Sequence, residues 1–484
     1  MSSAKSSAKE TTRNLSWLAV AQAGRRLLAL VTTAVLARLI APEQFGILNM
    51  AILAVGLLSM VSDVGLSSAL VQRKEVGEDE LSTAFWLNCL ACVVLGGLGA
   101  AVAWPLSRAY HEPRVMTVLL VLLIMLPVSG LGLVSDALLQ RRLHFKRISL
   151  IELSSGLAAA IVGVVLALSG AGVWALVGQY LVTSLVTAIG RLWAAGWLPK
   201  LRFSRAAARD LSGFGSGVLG VMIINYATRN IDNALIGAAL GPRALGYYSL
   251  AYNLMLMPAT MVAGIFSRVS FPLLSSLRGE PERLRAEYLR LVRVLATLSI
   301  PVIVGLCAVA PLFIRAVYGP NWLPVAPILR ILAVVGVFEA VSTSGAVFYA
   351  MGRPHLLASW ALLSLAVMVA GFAIGVRWGA PGVAWAYVAV SPVVFGIPQV
   401  ISTRLIDLRF GQLIGNITPA LLAAAAMAGV LLLLQSIPVV PFGLVWPDLG
   451  VYVAGGGVVY VVAIVAVVAL FWRRNILGWL KEAI

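Results

Sequence analysis

Charged residues are scarce in this sequence. Asp, Glu, Lys and Arg make up 11% of its 484 residues, whereas soluble domains are about one-quarter charged. Hydrophobic residues make up 61% of the chain, and this composition predicts an all-α polytopic membrane protein. The net charge of +17 does not indicate nucleic-acid binding, because the basic residues lie mostly between apolar runs. That distribution is typical of loops that face an anionic lipid bilayer.

Residues that could carry metal or catalytic chemistry are also few. The chain has three cysteines and three histidines, and Cys89 and Cys92 form a CxxC inside an apolar run, where they behave as small hydrophobes. No lysine follows a glycine, which excludes a Walker A motif and an ATP-driven motor, and no HExxH motif occurs. The loops are too short for a catalytic domain outside the membrane. We therefore predict a transporter rather than an enzyme, without catalytic residues, metal site or cofactor.

Long apolar runs dominate what is present. Fourteen windows of about 20 apolar residues match a hydrocarbon core of about 30 Å, and each is predicted to form a membrane-spanning helix. Among them are the third (83–105), the fifth (148–168), the sixth (172–196) and the twelfth (381–403). The first is too long for a signal-peptide core and is predicted to remain as a span. An even number of spans puts both termini on one side. That side carries 24 of the 36 basic residues and the opposite side six, so the positive-inside rule predicts cytoplasmic termini.

The chain contains an internal repeat with an offset of 200 residues. Ala41–Gly46 (APEQFG) returns as Gly241–Gly246 (GPRALG), with Pro and the final Gly in register. In both places a short turn is predicted to join one span to the next. Chance coincidence is the alternative interpretation. Six predicted spans separate the copies, so the lobes would share one orientation around a pseudo-two-fold axis, as in transporters built from parallel repeats. The predicted organisation is a disordered cytoplasmic tail at 1–14, an N-lobe (spans 1–6) at 15–200, a C-lobe (spans 7–12) at 201–410, and spans 13 and 14 with a cytoplasmic tail at 411–484.

The predicted seventh span, within 214–240, is polar in its middle. Asn225, Arg229 and Asp232 lie at positions i, i+4 and i+7, on one helical face, and Asn233 adjoins them. A charge at the bilayer centre costs about 2.5–3.5 kcal/mol on insertion scales, so such residues normally face a water-filled cavity or a polar partner. One interpretation is that Arg229 and Asp232 neutralise each other inside a packed bundle. The interpretation we favour is that this face lines a solute pathway.

Two adjacent arginines, Arg25 and Arg26, lie within the first predicted span. If the lobes are related by symmetry, Arg25 and Arg229 approach a shared central cavity from opposite sides. Guanidinium groups favour phosphate, because their planar fork matches its oxygens and stays charged. The alternative is that the adjacent arginines extend to the cytoplasmic headgroups. The predicted substrate-binding residues are Arg25, Arg26, Asn225, Arg229, Asp232 and Asn233.

The depth of an acidic residue within its predicted span indicates its role. Glu339 lies near the middle of the tenth predicted span without a basic neighbour at helical spacing. Two interpretations stay open: its carboxyl group is protonated and hydrogen-bonded, or it carries a coupling proton (H+) or Na+. Asp136 and Glu152 lie near predicted cytoplasmic ends of spans, where we expect them to pair with arginines of the loops. Arg191 is close enough to a span end to reach the headgroups and is assigned no role.

Several segments resemble a known family. Asp232–Tyr252 is similar to the seventh-to-eighth span region of bacterial polysaccharide flippases, which export lipid-linked oligosaccharides and belong to the multidrug/oligosaccharidyl-lipid/polysaccharide (MOP) exporter superfamily. Phe271–Ser275, Gln140–Arg147 and Gly319–Pro324 are similar to other segments of that family. The resemblance covers most of residues 15–410. Its motifs are distributed rather than catalytic, so they indicate the family well and the substrate poorly.

The resemblance implies a two-lobed, V-shaped flippase in the bacterial cytoplasmic (inner) membrane that alternates between inward-open and outward-open states. Its substrate would be an undecaprenyl-pyrophosphate-linked oligosaccharide for exopolysaccharide, O-antigen or capsule assembly. The sugars would cross through the central cavity while the lipid tail stays in the bilayer. The family's cavity arginines for pyrophosphate carry over only to Arg25, Arg26 and Arg229. Association with polysaccharide polymerase or assembly proteins is implied in the same way.

Two other classes of function compete with this one. A cation-coupled multidrug exporter of the same superfamily would have a more acidic and aromatic cavity than this sequence indicates. A membrane enzyme, such as a polysaccharide polymerase or glycosyltransferase, would need a large extracytoplasmic loop with paired acids, and the sequence contains none. The flippase is therefore the favoured prediction.

Overall fold

The computed structural model describes residues 24–63, 66–73, 76–353, 355–436 and 445–472. Within these ranges every regular element is a helix. The chain forms two compact units, Met1–Gly246 (unit 1) and Tyr247–Ile484 (unit 2). The predicted all-α membrane fold is thus confirmed, whereas the predicted boundaries of the lobes stay a prediction.

Unit 1 is a bundle whose helices begin and end at recognisable local signals. Its described helices are α1 (24–39), α2 (Pro42–Asp63), α3 (Leu66–Gln72), α4 (Glu78–Ala109), α5 (Arg114–Leu122), α6 (Met125–Arg141), α7 (Phe145–Leu168), α8 (Val173–Ala195) and the first part of α9 (Arg205–Ser276). The Glu80 carboxylate accepts the Gly77 N–H at 3.0 Å, which fixes the start of α4. Helix α8 ends at Gly196, whose φ of 62° suits glycine.

Unit 2 contains the second part of α9 and the remaining helices. These are α10 (Pro281–Ala308), α11 (Ala310–Val317), α12 (Val325–Val341), α13 (Ser344–Ala350), α14 (His355–Gly375), α15 (Gly379–Ser391), α16 (Ile397–Leu405), α17 (Phe410–Ser436) and α18 (Val445–Trp472). A π-helical turn, Pro392–Gly396, lies between α15 and α16. Helices α10, α17 and α18 supply most of a large buried cluster, in which Val292, Ala296 and Ala423 are fully buried.

Apolar side chains lie on the outer surfaces of these helices as well as in the contacts between them. In the described residues, ten helices are long and apolar enough to cross a membrane. Leu98 in α4 and Leu168 in α7 are 55% and 69% exposed, as expected for side chains that face lipid. The predicted count of fourteen spans stays a prediction, since part of the chain lies outside the described residues.

The two copies of the repeated turn lie against each other in unit 1. Helix α9 is interrupted at Gly241, whose φ is 81°, where the sequence predicts a turn between two spans. A Cβ on Gly46 would lie 1.7 Å from the Pro242 carbonyl oxygen, and a Cβ on Gly246 would lie 2.1 Å from that of Pro42. Glycine is therefore required at both crossings. The contacts are reciprocal, as a two-fold axis would make them, and the repeat itself stays a prediction.

A buried polar cluster joins three segments of unit 2 where its helices are broken. Helix α12 ends at Val341 and α13 begins at Ser344. Between them, the Thr343 hydroxyl donates to Tyr288 Oη at 3.0 Å, and the Gln399 amide donates to the same oxygen. Gln399 Oε1 accepts the Thr343 N–H at 3.4 Å, which partly satisfies the backbone exposed by the break. These bonds stabilise an irregular backbone that could not face lipid.

Loop residues of unit 1 are held by polar contacts. Trp86 Nε1 donates to the Lys200 carbonyl at 2.9 Å, and the Ser204 N–H donates to Thr83 Oγ1 at 2.9 Å, so the segment after α8 lies along the start of α4. Elsewhere, Arg114 Nε donates to Glu112 Oε1 at 2.8 Å. The bond from the Arg114 side chain holds the pKa of the Glu112 carboxyl below its ordinary value.

Candidate functional site

The predicted polar face of α9 is divided by the structure. Asn225 and Arg229 are exposed, whereas Asp232 is 2% exposed and Asn233 is half-buried. The Asn233 N–H donates to Asp232 Oδ1 at 2.8 Å. Asn225 and Arg229 therefore present polar groups at the surface of the helix, while Asp232 belongs to its packed side. Substrate binding by these residues stays a prediction.

Tyr226 anchors this part of α9 against α2. Its hydroxyl donates to the Leu53 carbonyl at 3.0 Å, and a Cβ on Gly56 would lie 2.4 Å from the same hydroxyl. The Asn230 amide donates to the Tyr226 carbonyl at 2.8 Å, one helical turn back. These contacts set the rotation of α9 about its axis, and hence the direction in which Arg229 leaves the helix.

Arg25 occupies a different place from the α9 residues. It lines a cavity of about 470 Å³ between α1, α7 and α8, which we call the unit 1 cavity. Its Nη1 lies 3.4 Å from Glu152 Oε2, and the two side chains are 50% and 30% exposed. Arg26 is half-buried and does not line this cavity, and neither do the predicted residues of α9. The unit 1 cavity therefore contains only one of the six predicted binding residues.

The acidic residues of unit 1 have partners that the sequence did not indicate. Glu152 pairs with Arg25 of α1, and Asp136 of α6 lies 3.2 Å from Arg191 Nε of α8. The expectation that both carboxylates pair with loop arginines is therefore wrong. Arg191, which was assigned no role, holds one of these pairs and also lines the unit 1 cavity. The reason is that α1, α6, α7 and α8 bring together positions that are far apart in sequence.

Glu339 lies in α12, close to the break before α13. The residue is half-buried, and its backbone carbonyl accepts the Ser342 N–H at 3.2 Å at the end of the helix. Its role in ion coupling stays a prediction. In the described residues, no group of three or more His, Cys, Asp or Glu side chains is arranged to hold a metal ion.

A second cavity lies in unit 2, between α14 and α15. Its volume is about 550 Å³, and glycines and tryptophans form its walls, among them Gly375, Trp378, Gly382 and Trp385. The α14 and α15 backbones are in close contact there, since a Cβ on Gly382 would lie 2.3 Å from the Gly375 carbonyl oxygen. We call this feature the unit 2 groove. Its lining has no charged residue.

Sequence reasoning missed most of the polar residues of the unit 1 cavity. Gln179, Thr183, Thr187 and Arg191 all line it from α8. They recur every fourth residue in an otherwise apolar helix, which places them on one face. The four-residue spacing indicates a polar face on α8. Uncharged hydroxyl and amide side chains within a span indicate such a face less clearly than charged ones do.

Comparison with known proteins identifies the chain. A family profile described as "Polysaccharide biosynthesis protein" matches residues 35–327, more than half of the sequence. The chain belongs to this family. The resemblance of the sequence to a polysaccharide family is thus confirmed.

Curated relatives match most of the length of the chain. The teichuronic acid biosynthesis protein of Bacillus subtilis is 31% identical over 76% of this chain and 77% of its own. The succinoglycan biosynthesis transport protein of Rhizobium meliloti is 30% identical over 76% and 75%. The lipopolysaccharide biosynthesis protein of Escherichia coli is 29% identical over 79% and 78%. All three relatives are thus named for biosynthesis, and one of them is named a transport protein.

Solved structures show the same fold at low sequence identity. A lipid II flippase in an inward-closed conformation aligns with a TM-score of 0.78 and 16% identity, over 94% of this chain and 98% of that one. An inward-facing multidrug resistance transporter of the MOP superfamily aligns with a TM-score of 0.61 and 16% identity, over 79% and 96%. At this identity the likeness establishes that the chain has the fold of these two membrane proteins.

Proposed function

We propose that the protein is a flippase that translocates undecaprenyl-pyrophosphate-linked oligosaccharide repeat units for the assembly of exopolysaccharide, O-antigen or capsule. The observation that carries this proposal is the exposed Arg229 on the polar face of α9, in a chain whose relatives are named for polysaccharide biosynthesis and transport. The bilayer and the lipid-linked oligosaccharide are then its partners. Alternating access between inward-open and outward-open states would carry the sugars across.

The depth of Arg229 supports an anion-binding role. It lies twelve residues before the break at Gly241, which corresponds to about 18 Å along the helix. With the break near one membrane surface, the guanidinium lies well inside a hydrocarbon core of about 30 Å. A charge exposed at that depth is expensive against lipid, so we infer that its face lines a water-filled path. A guanidinium there matches the oxygens of a pyrophosphate group.

We further propose that the protein lies in the bacterial cytoplasmic membrane with both termini in the cytoplasm. The distribution of basic residues supports this orientation. The loop between Arg73 and Glu80 would then be cytoplasmic, as would 278–293. Labelling of single cysteines introduced in these loops with an impermeant maleimide tests this orientation. Labelling of either loop from outside intact cells would reverse it.

Replacing Arg229 tests the proposed function. In a strain whose own gene is deleted, Arg229→Ala is expected to abolish polymer export, while protein level and membrane insertion stay normal. The control is Arg377→Ala, which removes an exposed arginine from the turn Val376–Trp378 of unit 2 and is expected to leave export unchanged. Normal export by Arg229→Ala would remove the anion-binding argument.

Coupling to H+ or Na+ through Glu339 is a separate proposal. Its support is the position of a carboxyl group within the apolar helix α12. Glu339→Gln removes the charge at nearly constant volume, and export is expected to lose its dependence on the ion gradient. If export by the variant still collapses when an uncoupler or Na+ removal abolishes the gradient, Glu339 is structural.

The alternative proposal, a cation-coupled multidrug exporter, is supported by the solved multidrug transporter of the same fold. It predicts that deletion of the gene sensitises cells to cationic drugs while leaving surface polysaccharide intact. The flippase proposal predicts the reverse pattern. Measuring both properties in one deletion strain separates the two.

A further inference from the structure

The unit 1 cavity has the size of a ligand site and is half open to its surroundings. Helices α1, α7 and α8 surround a volume of about 470 Å³, and ligand pockets in proteins measure about 300–1,000 Å³. All of its lining residues belong to unit 1. The cavity therefore exists within one compact unit of the fold, whatever the other unit does.

A row of polar side chains from α8 forms one wall of this cavity. The row begins at Gln179, continues through Thr183 and Thr187, and ends at Arg191. Its ends are twelve residues apart, so it runs for about 18 Å along the helix. That length exceeds what one small polar group needs and suits an extended polar ligand.

Several of these polar groups have hydrogen-bonding capacity left over. The Thr183 hydroxyl donates to the Gln179 carbonyl at 2.8 Å, so only its lone pairs face the cavity. Within the described ranges, the side chains of Gln179, Thr187 and Thr33 make no hydrogen bond to protein, although all three line the cavity. Polar groups at membrane depth are costly without partners, so water or a ligand must supply them.

The charges at the cavity are balanced, which decides the class of ligand. Arg25 faces Glu152 at 3.4 Å, and Arg191 faces Asp136 at 3.2 Å. Each cation therefore has an anion, and the wall offers neither a free guanidinium for pyrophosphate nor a free carboxylate for a cation. What remains are hydroxyl and amide groups that both donate and accept, the pattern that matches the hydroxyls of a sugar ring.

We propose that the unit 1 cavity binds an uncharged hexose ring of the transported substrate, through Gln179, Thr183, Thr187 and Thr33. This inference rests on the proposed function, because it identifies where the sugar part of a lipid-linked oligosaccharide is recognised. It assigns the sugar part of the substrate to the row of polar side chains on α8, whereas the wall offers the pyrophosphate part no free guanidinium. Specificity for the sugar then depends on residues that carry no net charge.

Binding of defined lipids to the full-length protein in nanodiscs tests the inference. The probes are undecaprenyl pyrophosphate, undecaprenyl-pyrophosphoryl-galactose and undecaprenyl-pyrophosphoryl-galacturonate, and native mass spectrometry measures their affinities. The galactose lipid is expected to bind at least about threefold tighter than the bare lipid, which corresponds to roughly one net hydrogen bond. The galacturonate lipid is expected to show no such gain, because the wall offers its carboxylate no free cation.

Variants then test whether the cavity causes the gain in affinity for the galactose lipid. Thr183→Val with Thr187→Val removes two hydroxyls at nearly constant shape and is expected to abolish the galactose gain without changing the affinity for the bare lipid. Thr187→Ser keeps a hydroxyl and is expected to retain the gain. The matched control is Thr418→Val in α17, whose hydroxyl also donates to the carbonyl four residues back, at 2.7 Å. If the double variant does not fold, Gln179→Met carries the same test.

The outcomes separate this inference from the proposed function. If the wild-type protein binds none of the three lipids, the proposed function fails and the inference fails with it. If all three bind equally, or if the double variant keeps the galactose gain, only the sugar site is overturned. A gain for galacturonate equal to that for galactose would overturn the claim that the site is selective for an uncharged ring.

Discussion

The unit 1 cavity and the unit 2 groove are similar in size and opposite in chemistry. The cavity measures about 470 Å³ and the groove about 550 Å³. Each lies beside a pair of sequential helices, α7 and α8 in unit 1 and α14 and α15 in unit 2. The first contains ion pairs, threonines and an amide, and the second contains glycines and exposed tryptophans.

The difference lies in the faces of α8 and α15. In α8 the positions that line the cavity are Gln179, Thr183 and Thr187, whereas in α15 the lining positions include Trp385 and Ala386. These helices correspond to the sixth and twelfth predicted spans, which occupy equivalent places in the predicted repeat. If the predicted repeat holds, the two copies differ in the surface that they present to these spaces. The side chains decide whether the space holds polar groups or apolar ones.

The unit 1 cavity and the unit 2 groove should also differ in what stabilises them. Of the two, the cavity is expected to show the larger loss of stability on substitution. Arg191→Leu leaves Asp136 with Gln140 as its remaining partner, at 2.9 Å, in a site where the Asp136 side chain is 16% exposed. Breaking a buried ion pair costs on the order of 3 kcal/mol, so the midpoint of thermal unfolding in detergent should fall by several degrees.

The matched control for this prediction removes both charges. Arg191→Leu combined with Asp136→Leu is expected to recover most of the lost stability, since no unpaired charge remains. A double variant no more stable than the single one would show that Arg191 contributes by packing rather than by charge.

A smaller effect is expected from the backbone contact in unit 2. Gly382→Ala places a Cβ 2.3 Å from the Gly375 carbonyl oxygen, so α14 and α15 must move apart. Overpacking of this kind costs about 1–3 kcal/mol. Thermal unfolding in the same detergent measures it. The comparison variant is Gly163→Ala in unit 1, where the nearest atom, Gln179 Cγ, is 3.4 Å away and belongs to a flexible side chain. Equal destabilisation by Gly382→Ala and Gly163→Ala would contradict the expected difference between the two glycine positions.

The smallest effect is expected at the tryptophans of the unit 2 groove. Trp385 is 60% exposed, and Trp385→Ala should change the stability by no more than about 0.5 kcal/mol, as for other surface positions. Trp322→Ala removes an indole that is 1% exposed and should cost about 3–5 kcal/mol. Thermal unfolding compares them. A loss at Trp385 as large as that at Trp322 would mean that the groove is filled in the folded protein.

Much of the fold followed from local sequence. The apolar windows at 83–105, 148–168 and 172–196 coincide with α4, α7 and α8, because hydropathy over about 20 residues reflects the thickness of the bilayer. The turn predicted between two spans appears as the break at Gly241. The family resemblance is confirmed as well, since its motifs are local segments of the chain.

The candidate site could be predicted only in part. Helical spacing put Asn225, Arg229 and Asp232 on one face, but packing against the rest of unit 1 buries Asp232 and leaves the other two exposed. An angle of a few tens of degrees around the helix separates these environments, and spacing alone does not resolve it. The partner of Arg25, Glu152, is 127 residues away in the sequence and could not be inferred from spacing.

The sequence by itself determined that this is a membrane protein, where most of its helices run and to which polysaccharide biosynthesis family it belongs. Each of these depends on residues that are close together in the chain. Only the tertiary structure decided that α1, α7 and α8 line a common cavity, that its two arginines are neutralised, and that hydroxyl and amide groups form its free polar surface. The physical reason is that ion pairing and enclosure are set by distances in space between helices, whereas hydropathy is set along a single helix.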